Sequence, residues 1–150
     1  MRLALAAVAV VSFAATAQAA PRITPQVIGA WSRPAAQGTT GAGFMTLSNP
    51  GAKADALVSV ASPLAKRVTI HQSMLHGSMS MMQPVTTVPV PAGGSVTFAP
   101  GGYHLMFLEL TKPLNFGDAV PATLTFASGA TVKATFVVGL APPVAPASKR

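Results

Sequence analysis

Beyond residue 20 no stretch of this chain repeats its apolar residues at a helical period, and that restricts the folds open to it. The recurring pattern is instead a short run of strand character closed by a turn signal. Gly43 to Ser48 ends at Asn49-Pro50-Gly51, and Ala56 to Val60 ends at Ser62-Pro63. Arg67 to His71, Ser95 to Phe98 and Thr123 to Phe126 alternate with a period of two, and Thr131 to Val138 follows Ser128-Gly129. Alternation places every second side chain on one face, so such runs joined by Pro and Gly predict an antiparallel β-sandwich or barrel. Three stretches read as irregular: 33–41, a Met- and Ser-bearing loop over 73–80 with Gly77 in it, and a Pro/Ala tail over 141–150. No internal repeat breaks the remainder, so 20–140 is expected to be one all-β domain.

The first residues lie outside that argument. Arg2, the apolar run Leu3 to Ala15 and the small-x-small signal Ala17-Gln18-Ala19 have the order of a secretory signal peptide, with cleavage expected after residue 19. The apolar run falls short of the ~20 residues that a spanning helix needs, so no integral membrane segment is expected in the mature chain. Export predicts the periplasm. The chain has no cysteine, which excludes disulfides, thiolate catalysis, zinc-thiolate sites, cysteine-ligated copper and a cysteine-borne lipid. A chain of about 130 residues can still bury enough surface to fold without such staples.

Ten basic and three acidic side chains give a formal net charge of +7. The basic residues are scattered rather than clustered with aromatics, so nucleic acid is not an expected partner. A solvated surface is the plain reading of that charge, and docking to an acidic partner or an anionic membrane face the sharper one. Asp55, Glu109 and Asp118 stand far apart in sequence, which leaves little for a hard-metal site or a catalytic carboxylate pair.

Chemistry concentrates between positions 71 and 106. All three histidines lie there, with five of the seven methionines: Met74, Met79, Met81, Met82 and Met106. Methionine often fills gaps in a core, but four of these keep the company of Ser73, Ser78 and Ser80 rather than of a core pattern. Thioethers grouped with imidazoles suit a soft ion such as Cu(I), whereas zinc would find only the imidazoles. His104 and Met106, two apart in an extended run, should share a face while Leu105 and Phe107 point to the core. Trp31 and Phe44 read as packing residues, Tyr103 as a wall beside His104, and Lys66 and Arg67 as solvated.

Ten residues separate His71 from Met82, twenty-one separate Met82 from His104, and one separates His104 from Met106. In these residues and gaps the chain resembles the periplasmic copper chaperone family known as PCuAC. The resemblance extends through Trp31-Ser32-Arg33-Pro34, Ala42 to Asn49, Asp55-Ala56-Leu57-Val58 and Met82-Gln83-Pro84-Val85. It continues in Pro100-Gly101-Gly102-Tyr103-His104-Leu105-Met106, in Pro113-Leu114 with Gly117-Asp118, and in Leu124-Thr125-Phe126. It implies a cupredoxin-like β-sandwich that binds Cu(I) through His71, Met82, His104 and Met106; the chain is separately expected to be a monomer. It also implies delivery of copper for assembly of cytochrome c oxidase, to subunit II at its copper A centre or to a Sco-type protein.

Two departures from the commoner family pattern bear on stoichiometry. Met74, His76, Met79 and Met81 are auxiliary candidates for a second or shared copper position. The tail from Ala141 has neither His nor Met, so the Cu(II) site that some relatives carry at the C-terminus is not expected. Among rival functions, blue-copper electron transfer needs a Cys thiolate and is excluded by composition. A Ser-His-Asp enzyme has no supporting spacing. Copper storage or detoxification is the alternative to delivery, and a structural sandwich with no metal role stands behind both.

Overall fold

A computed structural model describes residues 23–143. The expected leader over 1–19 and the tail beyond residue 143 lie outside that range. Ten strands follow one another: β1 (Gln26–Ser32), β2 (Gly41–Ser48), β3 (Asp55–Ala61), β4 (Ala65–His76), β5 (Met79–Val85), β6 (Val88–Val90), β7 (Ser95–Phe98), β8 (Tyr103–Leu110), β9 (Ala119–Phe126) and β10 (Thr131–Val138). They form one sheet in the order β5-β4-β8-β7-β2-β1-β10-β9-β3-β6. The two ends approach each other, β3 against β4 and β6 against β7. One continuous sheet thus curls into the two facing layers of a sandwich. All ladders are antiparallel except β1–β10 and β7–β8.

Period two accounts for the core. Met45 and Leu47 of β2, Leu105 and Phe107 of β8, Leu124 and Phe126 of β9 and Phe136 of β10 are buried at alternate positions, with Leu57, Val88 and Val90. Phe107 and Phe136 meet edge to face, their centroids 5.7 Å apart, a favoured aromatic geometry. Gly43 is required where β2 crosses this cluster, because a Cβ there would stand 2.6 Å from the Phe107 ring. Trp31 and Phe44 pack together as expected, centroids 4.6 Å apart, with the Arg33 guanidinium 5.5 Å above the Phe44 ring.

The stretch 73–80 differs from the loop expected of it. β4 runs on to His76 and β5 returns from Met79, with only Gly77 and Ser78 between them. Gly77 has φ of 64° and Ser78 has no positive φ, which is the signature of a type II′ hairpin turn. Serines and methionines suggested a loop because neither favours strands, but a two-residue turn with glycine first closes a ribbon whatever its flanks. Two further strands, β1 and β6, carried no clear alternation: β1 holds a register shift between Ile28 and Trp31, and β6 is three residues long. Among the described residues no helix is long and apolar enough to cross a membrane.

Candidate metal centre

Strand register decides which of the candidate residues share a face. In the β4–β8 ladder His71 lies directly opposite His104 and Thr69 opposite Met106. In the β4–β5 ladder Met82 lies opposite Ser73, two positions on from His71. Residues opposite each other or two apart on a strand project the same way. His71, Met82, His104 and Met106 therefore all stand on one face of the sheet. It is the face away from the core, since the intervening Ile70, Leu105 and Phe107 are buried inside.

The two imidazoles lie close, with ring centroids 5.8 Å apart. His104 is buried at 7% exposure although it sits on the outer face. A shallow cavity of about 330 Å³ opens beside it, lined by Met82, His104 and Met106 together with Ser73, Arg33 and Phe44. Two larger depressions, along β1–β10 and around Asp55 and Ser128, are lined by no His or Met. Nowhere among the described residues do three His, Cys, Asp or Glu side chains converge, so a hard-metal or zinc cage has no material. His71 and His104 face each other, with Met82 and Met106 on the same face of the sheet.

Hydrogen bonds orient both rings. The Nδ1–H of His104 donates to the Gly102 carbonyl at 3.1 Å, which leaves the Nε2 lone pair free. His71 Nε2 lies 3.1 Å from Thr69 Oγ1, while its Nδ1 is buried without a partner. A buried orphan N–H is rarer than an orphan lone pair, so Nε2–H donates to Thr69 and Nδ1 offers its lone pair. Each imidazole thus keeps one nitrogen fixed by a neighbour and one unengaged, the arrangement found in metal-ligating histidines. Burial, and then the nearby His104, push His71 below the ordinary histidine range, which holds it neutral and able to donate.

The other sequence candidates are brought together elsewhere. Met74 pairs with Met81 and His76 with Met79, one step out of phase with His71 and Met82. These four share the opposite face of the same hairpin. Tyr103 does not wall the site. It lies opposite Gln72, also out of phase with His104, and its ring packs 5.5 Å from that of Phe98. Thr69 and the Gly102 carbonyl were not foreseen as site groups, although Thr69 is detectable as the residue two before His71 on the same strand face.

An all-β domain whose single sheet closes on itself in this way belongs to the cupredoxin-like β-sandwiches. The LpqE-like family pattern, described as "Putative lipoprotein LpqE-like", matches residues 25–138, and the chain belongs to that family. It is 33% identical over 107 residues to "Putative lipoprotein Lxx21020" of Leifsonia xyli subsp. xyli, spanning 71% of this chain and 64% of that one. Among solved structures, the fold matches the copper-bound PCuAC domain from PmoF2 with a TM-score of 0.64 and 25% identity, covering 79% of this chain and 93% of that one. It also matches Cu(I)-DR1885 of Deinococcus radiodurans with a TM-score of 0.58 and 31% identity, covering 83% and 82%. The PCuAC resemblance seen in the sequence extends to the fold.

Proposed function

We propose that the protein is an extracytoplasmic Cu(I) carrier that holds one ion through His71, Met82, His104 and Met106. The observation that supports this most directly is the juxtaposition of the two histidines across β4–β8, each with one ring nitrogen unengaged, beside two thioethers on the same face. The copper-bound PCuAC domain from PmoF2 and Cu(I)-DR1885 share this fold, and the lipoprotein names of the relatives agree with a location outside the cytoplasm. The mature chain is read as beginning after residue 19 and working in the periplasm.

The donor set favours carriage over catalysis. Four neutral donors leave a Cu(I) site with a charge of about +1, and none of them is as strong a donor as thiolate. Such a site can retain the ion yet yield it to a thiolate-bearing acceptor. Thioether and imidazole also survive an oxidising compartment without forming disulfides, although thioether can be oxidised slowly to sulfoxide. Met82, His104 and Met106 line an open cavity on the outer face, which favours approach of an acceptor from that side.

The acceptor we infer is cytochrome c oxidase subunit II, at its copper A centre, or a Sco-type protein that serves it. Anaerobic titration of the apo-protein with Cu(I) against a chromogenic chelator tests the site, and retention of wild-type affinity by His104→Ala or Met106→Ala would remove it. Incubating the loaded protein with each acceptor tests delivery. If metal stays with the donor in every pairing, storage or detoxification becomes the better account.

A further inference from the structure

Past Ser73 and Met82 the β4–β5 hairpin leaves the body of the sheet. The β4–β8 ladder ends at Gln72 opposite Tyr103, and one further hydrogen bond, Ser73 N–H to the Gly102 carbonyl at 3.0 Å, closes the contact. Residues 74–81 continue as a two-stranded ribbon with β5 at the sheet edge. A ribbon of two strands gains little stability in isolation, so its side chains are not explained by folding alone.

Those side chains sort by face. Toward the side that would continue the core stand Met74 opposite Met81 and His76 opposite Met79, four soft donors at four successive positions. On the other side the same stretch carries Leu75 and Ser80. None of the four donors is covered: Met74 is 40%, Met81 52% and Met79 65% exposed, and His76 is exposed as well. Thioethers left in water on a projecting ribbon are poor packing residues, but they remain available as ligands.

We propose that Met74, His76, Met79 and Met81 form a second site for a soft monovalent d10 cation, Cu(I) or its redox-inert analogue Ag(I). Opposed residues in such a ladder have Cβ atoms roughly 5 Å apart, and the two opposed pairs are about 7 Å apart along the strands. Long, unbranched methionine side chains span such gaps, and a metal–sulfur bond of roughly 2.3 Å lets sulfurs from both pairs reach one ion between them. Three thioethers and one imidazole again make a neutral set that suits a soft d10 ion over Zn(II) or Mg(II). The site is separate from the His71 centre, not an extension of it, because the backbone of the hairpin lies between the two faces. Its exposure makes it the weaker and faster-exchanging of the two.

Titration of the intact protein with Ag(I), followed by NMR of methionine methyl groups labelled with 13C, reads both sites at once. Two equivalents are expected. The first shifts the methyls of Met82 and Met106, the second those of Met74, Met79 and Met81, while buried Met45 serves as the unshifted reference. In M74L/H76N/M79L/M81L the second equivalent should vanish and the first persist, which also reports that the variant is folded. In M82L/M106L the hairpin methyls should still shift with one equivalent. Saturation of the wild type at one equivalent with the hairpin methyls unmoved, a second equivalent that leaves those methyls unmoved, or two equivalents retained by the quadruple variant would each overturn the second site. Loss of the first equivalent's signature alone would instead count against the His71 centre and leave the hairpin site standing.

Discussion

Thr69→Val tests whether the centre on the outer face is built as a ligand set with its own support. Thr69 touches no metal in the proposed arrangement. Its hydroxyl lies 3.1 Å from His71 Nε2, and that contact turns Nδ1, otherwise without a partner, toward use as a lone-pair donor. Valine has nearly the same shape and is at home in a strand, so the fold should lose no more than the roughly 0.5–1.5 kcal/mol of one hydrogen bond. Removing the partner of a metal-bound imidazole typically costs 10–100-fold in metal affinity, or about 1.4–2.7 kcal/mol of binding. Competition with a Cu(I) chelator measures that loss, and thermal unfolding of the apo-protein measures the fold separately. Thr46→Val is the control, since Thr46 bonds only Thr97 at 3.4 Å on an exposed ladder. Wild-type affinity in Thr69→Val, with the fold intact, would refute the assigned tautomer and the positioning role together.

Two further outcomes concern the scaffold. Gly43→Ala should destabilise the domain by about 1–3 kcal/mol, because the new methyl lands 2.6 Å from Phe107 in the packed core; a melting temperature equal to wild type would contradict the packing. Apo-protein stability should fall as pH drops through and below the ordinary histidine value of 6.5, because His71 titrates lower when folded than unfolded and the unfolded chain therefore takes up protons first. That contribution is complete above pH 6.5, and His71→Gln should flatten this part of the pH–stability curve. A second loss is expected in the carboxylate range from Asp55: burial would raise its pKa, but hydrogen bonds from the Ser128 hydroxyl and the Ala56 and Ser128 amides outweigh it and hold it low. Asp55 thus supports folding above the ordinary carboxylate value of 3.8 and loses that role below it.

Legibility in the sequence followed physical regularity. Ser95 to Phe98 and Thr131 to Val138 are read at the ends the structure gives them, because alternation and flanking turns agree there. β1 escaped notice because its register shift interrupts the period that makes a strand visible. In 73–80 composition points to a loop where turn geometry makes a hairpin; Gly77 alone, followed by a residue that tolerates negative φ, suffices to close it. The grouping of His with Met was evident from composition. Their division between two faces was not, because facing depends on ladder register, which no local pattern states. Tyr103 illustrates the same limit: adjacency to His104 in sequence places it on the opposite side of the strand.

Register also yields the sharpest test of the proposed centre. Met81 and Met82 are neighbours, equally apolar and similarly exposed at 52% and 57%. Composition cannot tell them apart. In the ladder Met82 stands opposite Ser73, on the side of His71, whereas Met81 stands opposite Met74 on the reverse side. The gap of ten residues between His71 and Met82 is thus a statement about facing: a turn of two residues at Gly77 and Ser78 sends this methionine, and not its neighbour, to the histidines. Met82→Leu keeps the volume and removes one of four ligands, so the affinity of the tight Cu(I) equivalent should fall by at least the 10–100-fold that follows loss of a mere supporting group. Met81→Leu should leave that equivalent unchanged. Both leucines occupy exposed edge-strand positions, so stability should move by no more than about 0.5 kcal/mol in either case. Equal losses from the two substitutions would mean that thioether content, rather than the facing dictated by the β4–β5 register, is what captures the ion.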